Sequence, residues 1–222
     1  ILSSAGLLTN QKSIEELFSA IEERVVNLDT GEYEDSLDPK SFDGKKFEAE
    51  DYSRDPLTSI KLTTDVDISS LKRRENFKKI YIYKEENEIK AIILPVRGLG
   101  LWGTLYGYLA IESDLNTIIG LEYFSHKETP GLGAEVDNPR WKSQWKGKNI
   151  YSSAGEIKIE VIKGLVDPES LEKKYQVDGL SGATITSRGV SNMLSFWLGE
   201  LGYAKFLNRL KEEIERKESL NV

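Results

Sequence analysis

Four hydroxyl groups crowd the stretch DGLSGATITS at residues 178–187: Ser181, Thr184, Thr186 and Ser187, spaced by Gly179, Gly182 and Ala183. Small neighbours leave such oxygens uncovered, and two readings are open. The hydroxyls can act as local caps, since Ser, Thr and Asp bond readily to backbone N–H groups where a turn runs into a helix. Alternatively, one of them sits beside a phosphate or carries a phosphorylated group, because a helix N-terminus offers unpaired N–H groups and the positive end of a dipole. Nucleophilic catalysis fits less well. An attacking hydroxyl wants a general base, normally His, and the one histidine, His126, stands far away in sequence. The residue types favour a phosphate-proximal hydroxyl over a catalytic serine, and they do not name the group.

A second candidate is Glu128-Thr129-Pro130-Gly131-Leu132-Gly133. Pro followed by Gly marks a tight turn, and two glycines let another molecule approach the backbone closely. The stretch reads either as a surface loop after a strand or as the polar-rimmed wall of a ligand pocket, with Thr129 and the glycine amides as donors. Gly98-Leu99-Gly100-Leu101-Trp102-Gly103 matches GxGxxG literally. A dinucleotide fingerprint must open a helix, whereas Leu105–Ile111 reads as another strand, so the context is wrong. Trp102 stands among three glycines, an arrangement that can leave one ring face open for stacking. Trp141, Trp145 and Trp197 are expected to pack in the core or a groove, and His126 to be structural or at a loop rim.

Composition narrows the classes further. A chain of 222 residues fits one or two domains and can bury a substantial core. Its net charge of −7, without a Lys/Arg cluster, argues against nucleic acid as a partner. Zero cysteines exclude disulfides and thiolate metal sites, and one histidine excludes a multi-histidine metal site within the chain. The opening ILSSAGLL is too short to span a membrane, which takes roughly twenty apolar residues. It reads as the stub of a membrane anchor or signal segment, or as a trimmed arm.

These candidates must be positioned by regular elements. Ser13-Ile14-Glu15-Glu16 fits a capping box, and Ile14, Leu17, Phe18, Ile21 and Val25 follow at helical spacing, which predicts an amphipathic helix over 13–26. The polar, acidic stretch 29–74 reads as loops with short elements and a helix near 68–76. Ile80–Tyr83 and Ile89–Val96 suggest a hairpin, Leu105–Ile111 and Ile118–Phe124 add two strands, and Ile157–Ile162 alternates as a half-buried strand should. Short connections imply an antiparallel meander of about five strands. After the hydroxyl-rich stretch, Val190, Met193, Leu194, Trp197, Leu198 and Leu201 form an apolar helical stripe. Gly202 breaks it, and Tyr203, Phe206, Leu207, Leu210 and Ile214 begin another. The fold class is α+β, an antiparallel sheet flanked by N- and C-terminal helices.

Asp178-Gly179-Leu180-Ser181-Gly182-Ala183-Thr184 closely resembles the flavinylation motif of the FMN-binding domains in respiratory electron-transfer complexes. His126–Gly133 resembles that family's second signature loop, Gly100–Gly107 its segment with a flavin-proximal tryptophan, and Lys163 stands where these domains place a lysine near FMN. The likeness runs from about residue 78 to 205. It is nearest to the C subunits of sodium-translocating NADH:quinone oxidoreductases, and the G subunits of Rnf complexes share the motif and the glycine loop.

The resemblance implies FMN joined through its phosphate to Thr184 by a dedicated flavin transferase, within Asp178, Leu180, Ser181, Gly182 and Ala183. Trp102 and Leu132 would pack on the ring. Glu128, Thr129 and Lys163 would make polar contacts, beside Gly131. No catalytic side chain and no metal is implied. Residues 1–8 would end a truncated N-terminal membrane anchor, 9–77 form a helix and polar region, and 78–222 the covalent FMN-binding domain. The protein would sit in a bacterial inner membrane by a single span, its soluble part periplasmic, partnered by the other subunits of the complex and not by nucleic acid. The alternatives are an Rnf-type or free-standing flavinylated carrier, and a non-redox binding domain in which DGLSGAT only caps a helix.

Overall fold

The computed structural model describes residues 1–7, 14–42 and 55–220. Helix α1 (Ile14–Ser19) leads into strand β1 (Ile21–Asn27), and a short antiparallel pair follows, β2 (Ser59–Lys61) with β3 (Arg73–Glu75). The β-rich runs become β4 (Phe77–Glu85), β5 (Glu88–Leu99), β6 (Thr104–Glu112) and β7 (Ile118–Ser125). Short connections return each strand beside its predecessor. The five-stranded antiparallel sheet has the order β1-β4-β5-β6-β7. The α+β class and the meander are as the sequence implies.

The fifth strand is not the expected one. Of 157–162, only β8 (Glu160–Val161) is strand, and it pairs in parallel with β9 (Gln176–Val177) in a separate two-stranded sheet. The fifth place belongs to β1, which lies inside the segment whose spacing predicts a helix over 13–26. That helix stops at Ser19; Ser13 lies outside the described residues. From Ile21↔Tyr83 to Asn27↔Phe77 the chain pairs with β4 instead. Pairs therefore cross the division placed at residue 77. The helix expected near 68–76 is likewise absent. Ser70 and Lys72 adopt left-handed backbone conformations, and β3 follows, its Arg74 and Glu75 ion-paired to Asp29 and Arg97.

The sheet is covered on both faces. After β7 come the one-turn helix α2 (Pro139–Lys142), then the two long helices α3 (Thr184–Trp197) and α4 (Ala204–Leu220). The apolar stripe of α3 packs with Ile80, Ile92, Leu94, Leu105 and Leu109 in the main core. Trp141, Trp145 and Trp197 are buried, as expected. At the break between the helices, a Cβ on Gly202 would lie 2.1 Å from the Trp197 carbonyl oxygen, so only glycine lets the chain pass. On the opposite face Leu2, Ala5 and Leu17 pack against Tyr81, Tyr83, Ile93 and Ala110. The opening residues thus lie along the outer side of the sheet, with the Ser4 carbonyl against Gly120.

Candidate functional site

Three segments distant in sequence meet at one carboxylate. They are the tight turn Gly100–Gly103 joining β5 to β6, the loop 126–133 after β7, and the first turn of α3. Glu128 lies where they touch, and it is only 6% exposed. Its Oε1 accepts from the backbone N–H groups of Leu101 at 3.0 Å and Trp102 at 2.9 Å. Its Oε2 accepts from the Thr186 hydroxyl at 2.5 Å. Two glycines make room for it. A Cβ on Gly100 would stand 2.6 Å from Oε1, and one on Gly133 2.4 Å from Oε2. His126 sits behind, at the loop rim as expected. Its Nδ1 accepts from the Glu128 N–H at 3.2 Å, and its Nε2 lies 2.8 Å from Asp137 Oδ2.

The motif itself is pinned from several sides. Asp178 Oδ1 accepts from the Val166 N–H at 2.7 Å, and its carbonyl accepts from the Trp141 indole N–H at 2.8 Å. The Gly179 N–H donates to the Gly164 carbonyl at 2.8 Å. A Cβ on Gly179 would fall 2.4 Å from the Ile162 carbonyl oxygen, so the strip holding Lys163 runs directly against the motif. Lys163 itself is exposed. Leu180 and Ala183 are buried. Gly182 has φ +70, and a Cβ there would meet Leu132 Cδ2 at 2.8 Å, which places Leu132 over the turn. Gly131 has φ +75 in open space, and Thr129 is exposed beside it.

The four hydroxyls divide cleanly. Thr186 is buried on Glu128; Ser187 is buried, accepting from the Leu180 N–H at 3.0 Å and donating to the Ala183 carbonyl at 3.2 Å. Ser181 and Thr184 are exposed. Capping does not explain the cluster. The N-cap position of α3 is Ala183, and no side chain caps it. Thr184 is the first helical residue, at the positive end of a helix of 14 residues.

Large apolar side chains are exposed on the segments that converge near Thr184. Trp102 is 65% exposed and Ile185 56%, with Leu101 and Leu132 also open. Large apolar side chains left in solvent beside polar groups mark a place where something binds. Lys127, Lys163 and Arg188 are exposed on the same three segments and their neighbours. Ile185 and Arg188 were not singled out in the sequence. Helical periodicity counted from Thr184 marks Arg188, one turn further on along the same face; it does not mark Ile185. Among the described residues no cluster of His, Cys, Asp or Glu can hold a metal ion. The arrangement suits a phosphorylated planar ring: a free hydroxyl, a helix N-terminus and an open indole.

A family model for the FMN-binding domain matches residues 100–199, a span that holds all three converging segments. The C subunit of the Na(+)-translocating NADH-quinone reductase of Pseudomonas aeruginosa is 46% identical over 216 residues, covering 96% of this chain and 81% of that protein. The chain belongs to the NqrC family, the C subunits of Na(+)-translocating NADH-quinone reductases. The family member from Neisseria meningitidis serogroup B is 41% identical over 213 residues, covering 95% of this chain and 79% of that one. The fold agrees with solved NqrC structures. The crystal structure of Shewanella oneidensis NqrC superposes with a TM-score of 0.85 at 33% identity, over 96% of this chain and 94% of that one. The corresponding protein from Parabacteroides distasonis gives a TM-score of 0.60 at 31% identity, over 93% and 88%.

Proposed function

We propose that this chain is the electron-transfer subunit of a membrane-bound, sodium-translocating NADH:ubiquinone reductase, with FMN joined by a phosphoester bond to Thr184. The observation that carries the reading is the exposed Thr184 hydroxyl at the uncapped start of α3, while Thr186 and Ser187 are buried and bonded. An uncapped helix start has unsatisfied N–H groups that suit a phosphate. FMN, when bound, supplies the redox chemistry through its ring, and the protein orients it and sets its electrostatics.

The residues present fit that group. Trp102, Leu132 and Ile185 offer exposed apolar surface beside Thr184 for the ring, with Thr129 and the Gly131 amide at the rim. Lys163 is available as a cation next to the motif and would stabilise negative charge on a reduced ring by Coulomb attraction. Asp178, Leu180, Gly182 and Ala183 hold the attachment turn in shape, and Ser181 stands exposed beside it. No side chain is assigned a catalytic role. Maturation requires a flavin transferase that donates FMN to the threonine, and the working partners are the other subunits of the complex. Among the described residues no helix is long and apolar enough to cross a membrane. The complex is assigned to the bacterial inner membrane, with the FMN-binding part on the periplasmic side.

Intact-protein mass after co-expression with a flavin transferase tests this directly. The expected result is an FMN-sized increment and yellow colour, both lost in Thr184→Ala and kept in Ser181→Ala. An unmodified chain beside an active transferase would overturn the reading, and so would an increment that survives Thr184→Ala.

A further inference from the structure

We infer that Glu128 is a positioning residue: its carboxylate fixes the Trp102 turn to the first turn of α3, and so sets where the indole stands relative to Thr184. The inference rests on the reading of Thr184 as the FMN-bearing residue. It assigns Glu128 a different role from direct contact with the ring. Both of its oxygens point into the protein, one on the Leu101 and Trp102 N–H groups and the other on Thr186. The residue is buried, and Gly100 and Gly133 close around it so tightly that a Cβ on either would push the carboxylate out of place.

The turn needs such a hold. Trp102 is 65% exposed, so its side chain packs too little to locate the backbone that bears it. Within the turn, the Gly100 N–H donates to the Gly103 carbonyl at 2.8 Å, and the Leu99 N–H donates to Ser69 at 3.0 Å. Those bonds shape the turn and its base. The Oε1 pair ties its tip to Glu128, and the Oε2 bond to Thr186 carries that hold to α3, two residues along the helix from Thr184. Hydrogen bonds to a carboxylate are roughly twice as strong as neutral ones, and burial keeps water from replacing them. A glutamine has the same shape. Its carbonyl oxygen can keep the two backbone N–H groups while its amide donates to the Thr186 oxygen.

The test has two arms on the same variants. In the unflavinylated chain, amide hydrogen exchange is measured at Leu101 and Trp102, together with acrylamide quenching of tryptophan fluorescence, to which the exposed Trp102 is the accessible contributor. Glu128→Ala is expected to speed exchange at these two amides by about tenfold or more, and Glu128→Gln to stay within about threefold of the parent. In the flavinylated chain, the flavin reduction potential and visible circular dichroism should shift in Glu128→Ala and return in Glu128→Gln. Thr186→Val removes the Oε2 bond alone and carries both arms where Glu128→Ala fails to fold. Unchanged exchange at Leu101 and Trp102 in Glu128→Ala, or in Thr186→Val where the alanine variant fails to fold, overturns the clasp. Faster exchange with an unmoved flavin signature overturns the positioning role. A parent chain that accepts no flavin at Thr184 overturns the underlying reading, and is distinguished by exchange results that still show the clasp.

Discussion

The indole N–H of Trp197 donates to the carbonyl oxygen of Arg97 at 2.7 Å, joining the last residue of α3 to the strand that leads into the Gly100–Gly103 turn. Lys78 stands over the same indole at 4.6 Å from the ring centroid. Arg97 and Lys78 share one carboxylate, Glu75, with Arg97 Nη2 at 2.7 Å and the Lys78 ammonium on the other oxygen. The far end of the site-bearing helix is thus moored to a buried charge cluster, while its near end meets Glu128.

That cluster should make stability depend on pH in acid. Burial alone would raise the Glu75 carboxyl, but the Arg97 and Lys78 charges overcome it and bring it down from 4.5 to about 2. A depressed folded value means the unfolded chain binds the proton first. The stabilisation is therefore present above about pH 4.5 and is lost as pH falls through about 2. Urea unfolding across this window should show the loss, and Glu75→Gln should flatten the slope; an equal slope in both chains would refute the assignment.

Thr184 and Thr186 differ sharply although two residues apart. Thr186→Val leaves a buried Glu128 oxygen without its partner and should cost about 1–3 kcal/mol. Thr184→Val alters an exposed hydroxyl and should stay within about 0.5 kcal/mol. Chemical denaturation of the unflavinylated chain separates them, and equal midpoints for the two variants would contradict the geometry.

Alanine normally stabilises a helix interior relative to glycine, by about 1 kcal/mol. At Gly189 the sign should reverse. A Cβ there would sit 2.3 Å from the Leu99 carbonyl oxygen and 3.3 Å from Gly100 Cα, backbone atoms that cannot swing aside. Gly189→Ala is expected to lose more than about 2 kcal/mol, whereas Gly155→Ala, with φ +79 and open space, should lose about 1 kcal/mol. Thermal unfolding reads both. A raised Tm for Gly189→Ala would show that the helix can back away from the turn.

Asp178 should govern the strip that bears Lys163. Its Oδ1 holds the Val166 N–H at 2.7 Å, so Asp178→Ala frees that amide while the Trp141 bond to the residue 178 carbonyl can persist. Faster exchange at Val166, by about tenfold, is the expected outcome. Protection equal to the parent would mean the strip is held elsewhere.

Much of this was legible in the residues themselves. The runs at 80–96 and 105–124 are rich in β-branched and aromatic residues, and their short connections imply the meander. Ile21–Asn27 misled because both faces of the sheet are covered: Val25 and Val26 are consecutive and both buried, which erases the two-residue period. Ile21 and Val25 also continue the spacing of Leu17, which is the spacing of a helix that runs on. Near residue 74 the deciding contacts are ion pairs to Asp29 and Arg97, too distant in sequence for any local pattern. At the site, the hydroxyl cluster and the glycine loops were visible as motifs. The bond from Thr186 to Glu128 spans 58 residues, and only the folded chain shows that one hydroxyl is inside and another outside.

Bare backbone meets bare backbone where Gly189 lies against the Leu99 carbonyl, with no side chain between to act as a cushion. Side chains absorb small displacements by changing rotamer, and here that slack is missing. Helix α3 and the turn carrying Trp102 therefore move as one stiff lever, and any substitution that rolls the helix will be felt at the indole.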